Sequence, residues 1–273
     1  MLNHCPMLYR LPLLALLAFG FASQASPSRK PHKAVSALPL QQSFVLFAPG
    51  QYMQTLEVTN GQYQQFLNDL LQQGRQQEYH RYYPDTLGFA SHGSAAPYQQ
   101  FYFQHASFAQ YPVVNITRAG AEAFAQWYTQ QYQSQPQQPL GPQVQFMLPT
   151  RQQWVLAARS GKLQDESPYP WPGQQLRNKK GQKLCNYAAE VASGASPRAD
   201  ITAPAKSFWP NALGLYNMCG NVAEMVADAP LAMGGNYTSP AAGVGITQSQ
   251  PLGQGSSPTV GFRLVAIVAG AGQ

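Results

Sequence analysis

The stretch from residue 208 to residue 228 decides the fold, and it reads FWPNALGLYNMCGNVAEMVAD. It places two side chains that carry oxygen atoms, Asn217 and Glu224, on either side of a glycine at Gly220. Side-chain oxygens of this kind are ligands for hard cations such as Ca²⁺. A glycine lets the backbone turn, so that neighbouring carbonyl groups converge. The stretch therefore indicates a loop lined with oxygen atoms.

Shorter blocks flank this stretch along the chain. They are EVTNGQY from Glu57, YPVVNIT from Tyr111, LPTRQQWVLAAR from Leu148, YPWPG from Tyr169, CNYA from Cys185, GGNY from Gly234 and GFRLV from Gly261. In this order they resemble the formylglycine-generating enzyme, or sulfatase-modifying factor, family over residues 44–268. The resemblance implies the sulfatase-modifying factor fold, a variant of the C-type lectin architecture with much irregular backbone.

The resemblance also implies two structural calcium sites. The ligands of the first would be Asn217, the carbonyl groups of Gly220 and Val222, and Glu224. The ligands of the second would be Asn186, Tyr187 and Asp200. The alternative at the first site is that Glu224 is a buried acid hydrogen-bonded to loop amides.

The family's catalytic copper ion is not expected in this chain. The resemblance implies a pair of cysteines between the GGNY and GFRLV blocks, but residues 236–260 contain no Cys, His or Met. Soft thiolates are what Cu(I) requires. The family's arginine in this region is also absent, and the family's tryptophans are replaced at Met225 and Tyr237. Copper-dependent formylglycine generation is therefore not expected.

The start of the chain indicates export. Arg10 precedes an apolar run over residues 11–22 and the small-residue sequence SQA, which predicts a signal peptide over residues 1–25 and a periplasmic or secreted protein. Residues 26–40 form a flexible basic arm, and residues 41–273 form a single domain. The apolar run is too short for a membrane-spanning helix, so stable membrane insertion is not expected.

The composition narrows the choice of partners. Charged residues make up 10% of the chain and the formal net charge is +6. No run of Lys or Arg alternates with aromatic residues inside the domain, so no nucleic-acid-binding surface is expected. The expected partner is an envelope protein or a small ligand.

Periodicity and capping signals predict three helices, which begin after Thr59, after Thr117 and after Pro149. Short apolar pieces at Phe44–Phe47, 144–148 and 262–268 predict strands. Two or three helices on small antiparallel sheets, with many loops, make an α+β fold.

Cysteines and histidines leave alternatives open. Cys185 and Cys219 form either a disulfide or two small buried side chains, while a reactive thiol at Cys219 is disfavoured. His80, His92 and His105 lack metal-ligand spacing, so a surface or packing role is preferred over iron or zinc binding.

Two functional hypotheses follow. The first is an exported non-catalytic accessory or binding protein, a pseudoenzyme of the family. The alternative is a divergent oxidoreductase acting on an unknown substrate, for example in siderophore or other secondary-metabolite maturation. Its candidate groups are Tyr237, Arg263, Cys219 and the segment from His80 to His105. Calcium-dependent sugar binding, by analogy with lectins, is a third and weaker possibility.

Overall fold

The computed structural model describes Met1 and residues 44–91, 96–164, 166–188, 201–253 and 255–269. The predicted signal peptide and basic arm lie outside the described residues, Met1 excepted, and the domain boundaries stay a prediction. In chain order the elements are β1 (Phe44–Ala48), β2 (Gln51–Gln54), α1 (Asn60–Gln72), α2 (Gln76–Tyr82), α3 (Ala96–Phe101), α4 (Arg118–Gln133), β3 (Val144–Met147), α5 (Arg151–Ala158), β4 (Ala223–Met225), β5 (Leu231–Gly234), β6 (Gly245–Pro251), β7 (Val260–Gly261) and β8 (Val265–Val268).

The strands form two small sheets of four strands each. The first has the order β1-β2-β8-β3 and is antiparallel throughout. The second has the order β6-β5-β4-β7, and in it β4 pairs with β7 in parallel. The α+β class with small sheets is confirmed, and the parallel pair is a departure from the antiparallel expectation. It arises because β7 comes from a distant segment that runs alongside β4, where no hairpin turn imposes an antiparallel direction.

The three predicted helices are confirmed, and their starts show the expected caps. In α1, Gln62 N donates to Thr59 Oγ1 and Thr59 N donates to Gln62 Oε1. In α5, Thr150 and Gln153 make the same reciprocal pair. Each capping box satisfies two backbone donors that a helix start leaves without partners.

Two further short helices, α2 and α3, were not predicted. No residue of α2 is buried, so it has no apolar stripe that periodicity could reveal. Helix α3 has six residues, too few to show a repeat. The predicted strands at Phe44–Phe47 and 144–148 are confirmed, whereas the predicted strand at 262–268 is regular only from Val265 onward.

Two of the four apolar clusters among the described residues contain most of the core. In the first, Tyr63 and Phe66 of α1 pack against Phe124 of α4, with ring centroids 5.7 and 5.9 Å apart. In the second, Trp154 of α5 is completely buried between the two sheets' inner residues, among them Met53 and Met233. Within the residues described, we find no helix with the length and apolar character needed to cross a bilayer.

Candidate functional site

The centre of the 208–228 stretch is a tight turn that packs onto another loop. Asn217, Gly220 and Asn221 have left-handed backbone, with φ of 54°, 73° and 65°. Asparagine and glycine adopt this conformation at low cost. A Cβ atom at Gly220 would lie 2.2 Å from the carbonyl oxygen of Asn186, so only glycine allows this approach. Asn221 N donates to the same carbonyl oxygen at 2.8 Å.

A fully buried carboxylate, Glu57, lies against this turn. Its Oε2 accepts from Asn217 Nδ2 at 2.9 Å, and its Oε1 accepts from Asn221 Nδ2 at 2.8 Å. Burial raises the pKa of Glu57 to about 7, although the positive charge of Arg263 and the two amide hydrogen bonds oppose the rise. A group with this pKa is partly protonated at neutral pH.

This carboxylate was not among the predicted site residues. Its amide partners lie 160 and 164 residues away in the sequence, and no local pattern indicates such a pairing. Only the composition could have indicated Glu57. Charged residues make up 10% of the chain, so an acidic residue inside a family block is a candidate for a buried or functional role.

A second buried carboxylate, Glu224, forms an ion pair with Arg263, and neither side chain is exposed to solvent. Arg263 Nη2 donates to Glu224 Oε1 and Arg263 Nε donates to Oε2, both at 2.6 Å. Trp154 Nε1 also donates to Oε2, at 2.7 Å. The guanidinium donates further to the carbonyl oxygens of Tyr216, at 2.7 Å, and Gln54, at 3.1 Å. This bidentate, fully hydrogen-bonded geometry offsets the cost of burying two charges.

Glu224 does not fit the predicted role of a calcium ligand. Both of its oxygens already bind Arg263, so a divalent cation on this carboxylate would lie beside a guanidinium of like charge. The alternative, a buried acid, describes Glu224 better. The donors to Glu224 are Arg263 and Trp154, whereas the alternative expected loop amides.

The other predicted ligands of the first site are Asn217 and the carbonyl groups of Gly220 and Val222. Asn217 Oδ1 is buried and has no hydrogen-bond partner among the described residues. A side-chain oxygen that binds a cation would also lack a hydrogen-bond donor. Gly220 N donates to Gly234 O at 3.0 Å, and the side chain of Val222 is buried near Phe89 and Tyr102. A calcium ion at this turn stays a prediction that rests on Asn217 and on no carboxylate.

The second predicted calcium site is only partly described, because Asp200 lies outside the described residues. Asn186 Nδ2 donates to Ile201 O at 2.9 Å and to Asn221 Oδ1 at 3.2 Å. The carbonyl oxygen of Tyr187 accepts from Lys183 Nζ at 2.8 Å. An ammonium group of the chain itself therefore contacts a residue that the prediction assigned to calcium, and this site too stays a prediction.

The two cysteines meet directly. Cys185 Sγ and Cys219 Sγ are 3.2 Å apart, and both residues are buried. Burial raises the pKa of the Cys219 thiol, and the nearby Cys185 raises it further. A thiol with a raised pKa is a poor nucleophile at neutral pH.

The groups named for the oxidoreductase alternative have separate surroundings. His80 packs its ring against Tyr79, with ring centroids 5.3 Å apart, while His105 Nδ1 accepts from Ser107 N at 3.2 Å and caps a short 3₁₀ turn. His92 lies outside the described residues. Burial raises the pKa of Tyr237 to about 12. In the part of the chain that is described, no three His, Cys, Asp or Glu side chains cluster as a metal site would require.

Two adjoining cavities lie along α5, with volumes of about 470 and 290 Å³, and Arg159 and Lys162 line both. The larger cavity is also lined by Arg151 and a single acid, Asp228.

The smaller cavity is lined by prolines and by the stacked rings of Tyr169 and Trp171, whose centroids are 5.6 Å apart. Arg159 Nε is buried without a hydrogen-bond partner among the described residues. We call these two cavities the α5 cleft. Sequence reasoning did not identify it, because its cations come from a helix end and a loop with no charge run.

The chain is similar to known proteins in both sequence and fold. Residues 21–268 match the family model of the sulfatase-modifying factor enzyme 1-like domain. A formylglycine-generating enzyme from Thermomonospora curvata is 34% identical over 125 residues, which are 43% of this chain and 33% of that protein. A formylglycine-generating enzyme from Streptomyces coelicolor is 31% identical over 125 residues, 43% of this chain and 32% of that protein. These alignments span about a third of the curated relatives' length.

Several solved structures share the fold, among them CarF and Treponema denticola variable protein 1. CarF superposes with a TM-score of 0.53 and 21% identity, covering 80% of this chain and 86% of that chain. Treponema denticola variable protein 1 superposes with a TM-score of 0.53 and 17% identity, covering 79% of this chain and 84% of that chain. At these identities the likeness concerns the fold alone.

Proposed function

Since this chain belongs to the sulfatase-modifying factor enzyme 1-like family, we propose that it is an exported, non-catalytic binding protein built on that family's fold. The observation that carries the proposal is the composition of residues 236–260, which contain no Cys, His or Met. Without soft ligands in that interval, Cu(I) has no thiolate pair there to bind it.

The packing of this interval supports the same proposal. Tyr237, Val244 and Ile246 are buried, and residues 245–251 form β6 at the edge of the second sheet. The apolar part of the segment serves as core. Cys185 and Cys219 contact each other and lie in two other blocks of the sequence.

We expect the purified protein to show no copper-dependent oxidation of a substrate cysteine. The experiment incubates it with Cu(I), oxygen and a cysteine-containing peptide, and measures aldehyde formation by mass spectrometry. The formylglycine-generating enzyme of Thermomonospora curvata serves as the active control. Aldehyde formation that disappears in a Cys185→Ser/Cys219→Ser variant would overturn the proposal, because it would assign catalysis to the displaced thiol pair.

We propose further that the α5 cleft is the ligand-binding site and that it takes a ligand with a carboxylate beside a ring. Arg151, Arg159 and Lys162 face one acid, Asp228, so the lining carries excess positive charge. An anionic group would make charge-assisted hydrogen bonds to Arg159 and Lys162, which line both cavities. The aromatic and proline wall of the smaller cavity offers an apolar surface to a ring.

Oligogalacturonate, which joins carboxylates to pyranose rings, is a suitable probe for this site. Its affinity for the Arg159→Ala/Lys162→Ala variant should be roughly tenfold lower than for the wild type, since two charge-assisted contacts are lost. The control variant Arg81→Ala/Lys179→Ala removes the same charge outside the cleft and should bind as the wild type does. Calorimetry at physiological ionic strength measures the affinities. Equal weakening in both variants would show non-specific charge attraction and refute the assignment, and so would a lack of binding by the wild type.

A further inference from the structure

Two loops that are distant in sequence meet at the cysteine pair. Cys185 and Cys219 are 34 residues apart in the chain, yet their Sγ atoms are 3.2 Å apart. The backbones beside them are also in contact, because Asn221 N donates to Asn186 O at 2.8 Å and Gly220 packs against the same carbonyl. A disulfide requires two backbones at close range with side chains directed at each other. The loops bring the two sulfurs to 3.2 Å, and a bond of about 2.0 Å requires them to approach further.

The surroundings of the pair favour a covalent bond between the sulfurs over metal binding. Leu176, Tyr187 and Val244 pack around the two thiols in a small apolar cluster. A metal ion needs charged thiolates and usually further ligands, and apolar surroundings disfavour a buried charge. A disulfide carries no charge, so the same surroundings accommodate it.

We propose that Cys185 and Cys219 are joined by a disulfide bond that holds the turn at residues 217–221 against the loop at residues 185–187. Each thiol gives up a proton, and together they pass two electrons to the disulfide of a thiol–disulfide exchange partner, which leaves as two thiols. Because both cysteines are buried once the chain is folded, the bond forms while the chain folds. In the cell the proposal rests on the export proposed above, since disulfides persist in oxidising compartments.

The bond has a structural role beside the predicted ion sites. Asn186 follows one cysteine and Gly220 follows the other, so the bond ties together the two loops that calcium was predicted to organise. Arg263 at Glu224 and Lys183 at the Tyr187 carbonyl supply positive charge there. The disulfide would supply the cross-link.

The test uses the full chain with Cys5→Ser, so that Cys185 and Cys219 are its only cysteines. The reduced chain is refolded in glutathione redox buffer, alkylated and analysed by mass spectrometry. We expect no alkylation, a mass lighter by two hydrogen atoms and a cross-linked peptide containing both cysteines. Two alkylated cysteines, or glutathione adducts, would overturn the proposal. This refolding does not depend on the cellular compartment or on ligand binding, so its failure is distinct from failure of the proposed function.

A second measurement compares the melting temperatures of the oxidised and reduced protein. For a closed loop of this length, the oxidised form should melt about 10 °C higher. The reduced protein keeps both side chains, so this comparison separates the bond from the packing that Cys185→Ala or Cys219→Ala would also remove. Equal melting temperatures would show that the loops need no cross-link and would count against the proposal.

Discussion

Replacing Arg263 by methionine should lower the free energy of unfolding by about 3–5 kcal/mol, because it leaves the buried carboxylate of Glu224 without its counter-charge. Neither side chain of the pair is exposed, and Arg263 also donates to the carbonyl oxygens of Tyr216 and Gln54. Urea denaturation followed by tryptophan fluorescence measures the loss, since Trp154 donates to the same carboxylate.

Two variants serve as controls for this result. Arg75→Met removes an ion pair with Glu78 whose side chains are 43% and 36% exposed, so the unfolding midpoint should hardly change. Arg263→Met combined with Glu224→Gln removes both charges and should regain part of the stability. A double variant no more stable than Arg263→Met alone would show that the unpaired charge is not the cause.

The same substitution tests the calcium prediction. In the wild type Glu224 is neutralised by Arg263, so added calcium should gain nothing from it. In Arg263→Met the carboxylate is unpaired, so calcium should raise the melting temperature of this variant more than that of the wild type. A lower melting temperature of the wild type after chelation would instead support an ion at Asn217, whose Oδ1 has no described partner.

Stability should fall as the pH rises from about 5 to about 7.5, because Glu57 holds its proton more tightly in the folded protein than in the unfolded chain. Burial raises its pKa from 4.5 to about 7, so within this window unfolding releases a proton. Higher pH therefore favours the unfolded state. One pKa unit corresponds to about 1.4 kcal/mol, so the full effect is on the order of 3 kcal/mol.

Glu57→Gln should abolish this pH dependence, since glutamine does not titrate. The quantity to compare is the slope of the unfolding free energy against pH, because the substitution also alters the hydrogen bonds from Asn217 and Asn221. Glu122→Gln, which removes an exposed carboxylate, should keep the wild-type slope. A stability that is flat or rises across the window in the wild type would contradict a raised pKa at Glu57.

The sequence predicted the features that depend on local spacing. The capping boxes at Thr59 and Thr150 need only the residue three positions further on, and both are present. Helix α2 was missed because it buries nothing. Family membership and fold class were correct because the motif blocks run through most of the chain.

The site was harder to predict because its contacts are long-range. Nothing near Glu224 in the sequence indicates that Arg263 neutralises it, and nothing near Glu57 indicates two asparagines from the turn. The resemblance assigned Glu224 to a calcium ion, whereas in the structure Glu224 forms an ion pair with Arg263. The distance between the two cysteines likewise depends on the fold and could not be read from their spacing.

The place of β7 and β8 in the two sheets has a consequence during protein synthesis. Strand β8 lies between β2 and β3, and β7 completes the second sheet beside β4, so each sheet needs a segment from residues 260–268. Until those residues leave the ribosome, β2 can pair with β1 but not with β8. The pairing of β2 with β8 joins segments that lie more than 200 residues apart in the chain. The nascent polypeptide therefore leaves the edges of β2 and β3 that face β8 unpaired until late in its translation, and a holding chaperone would protect those edges during that interval.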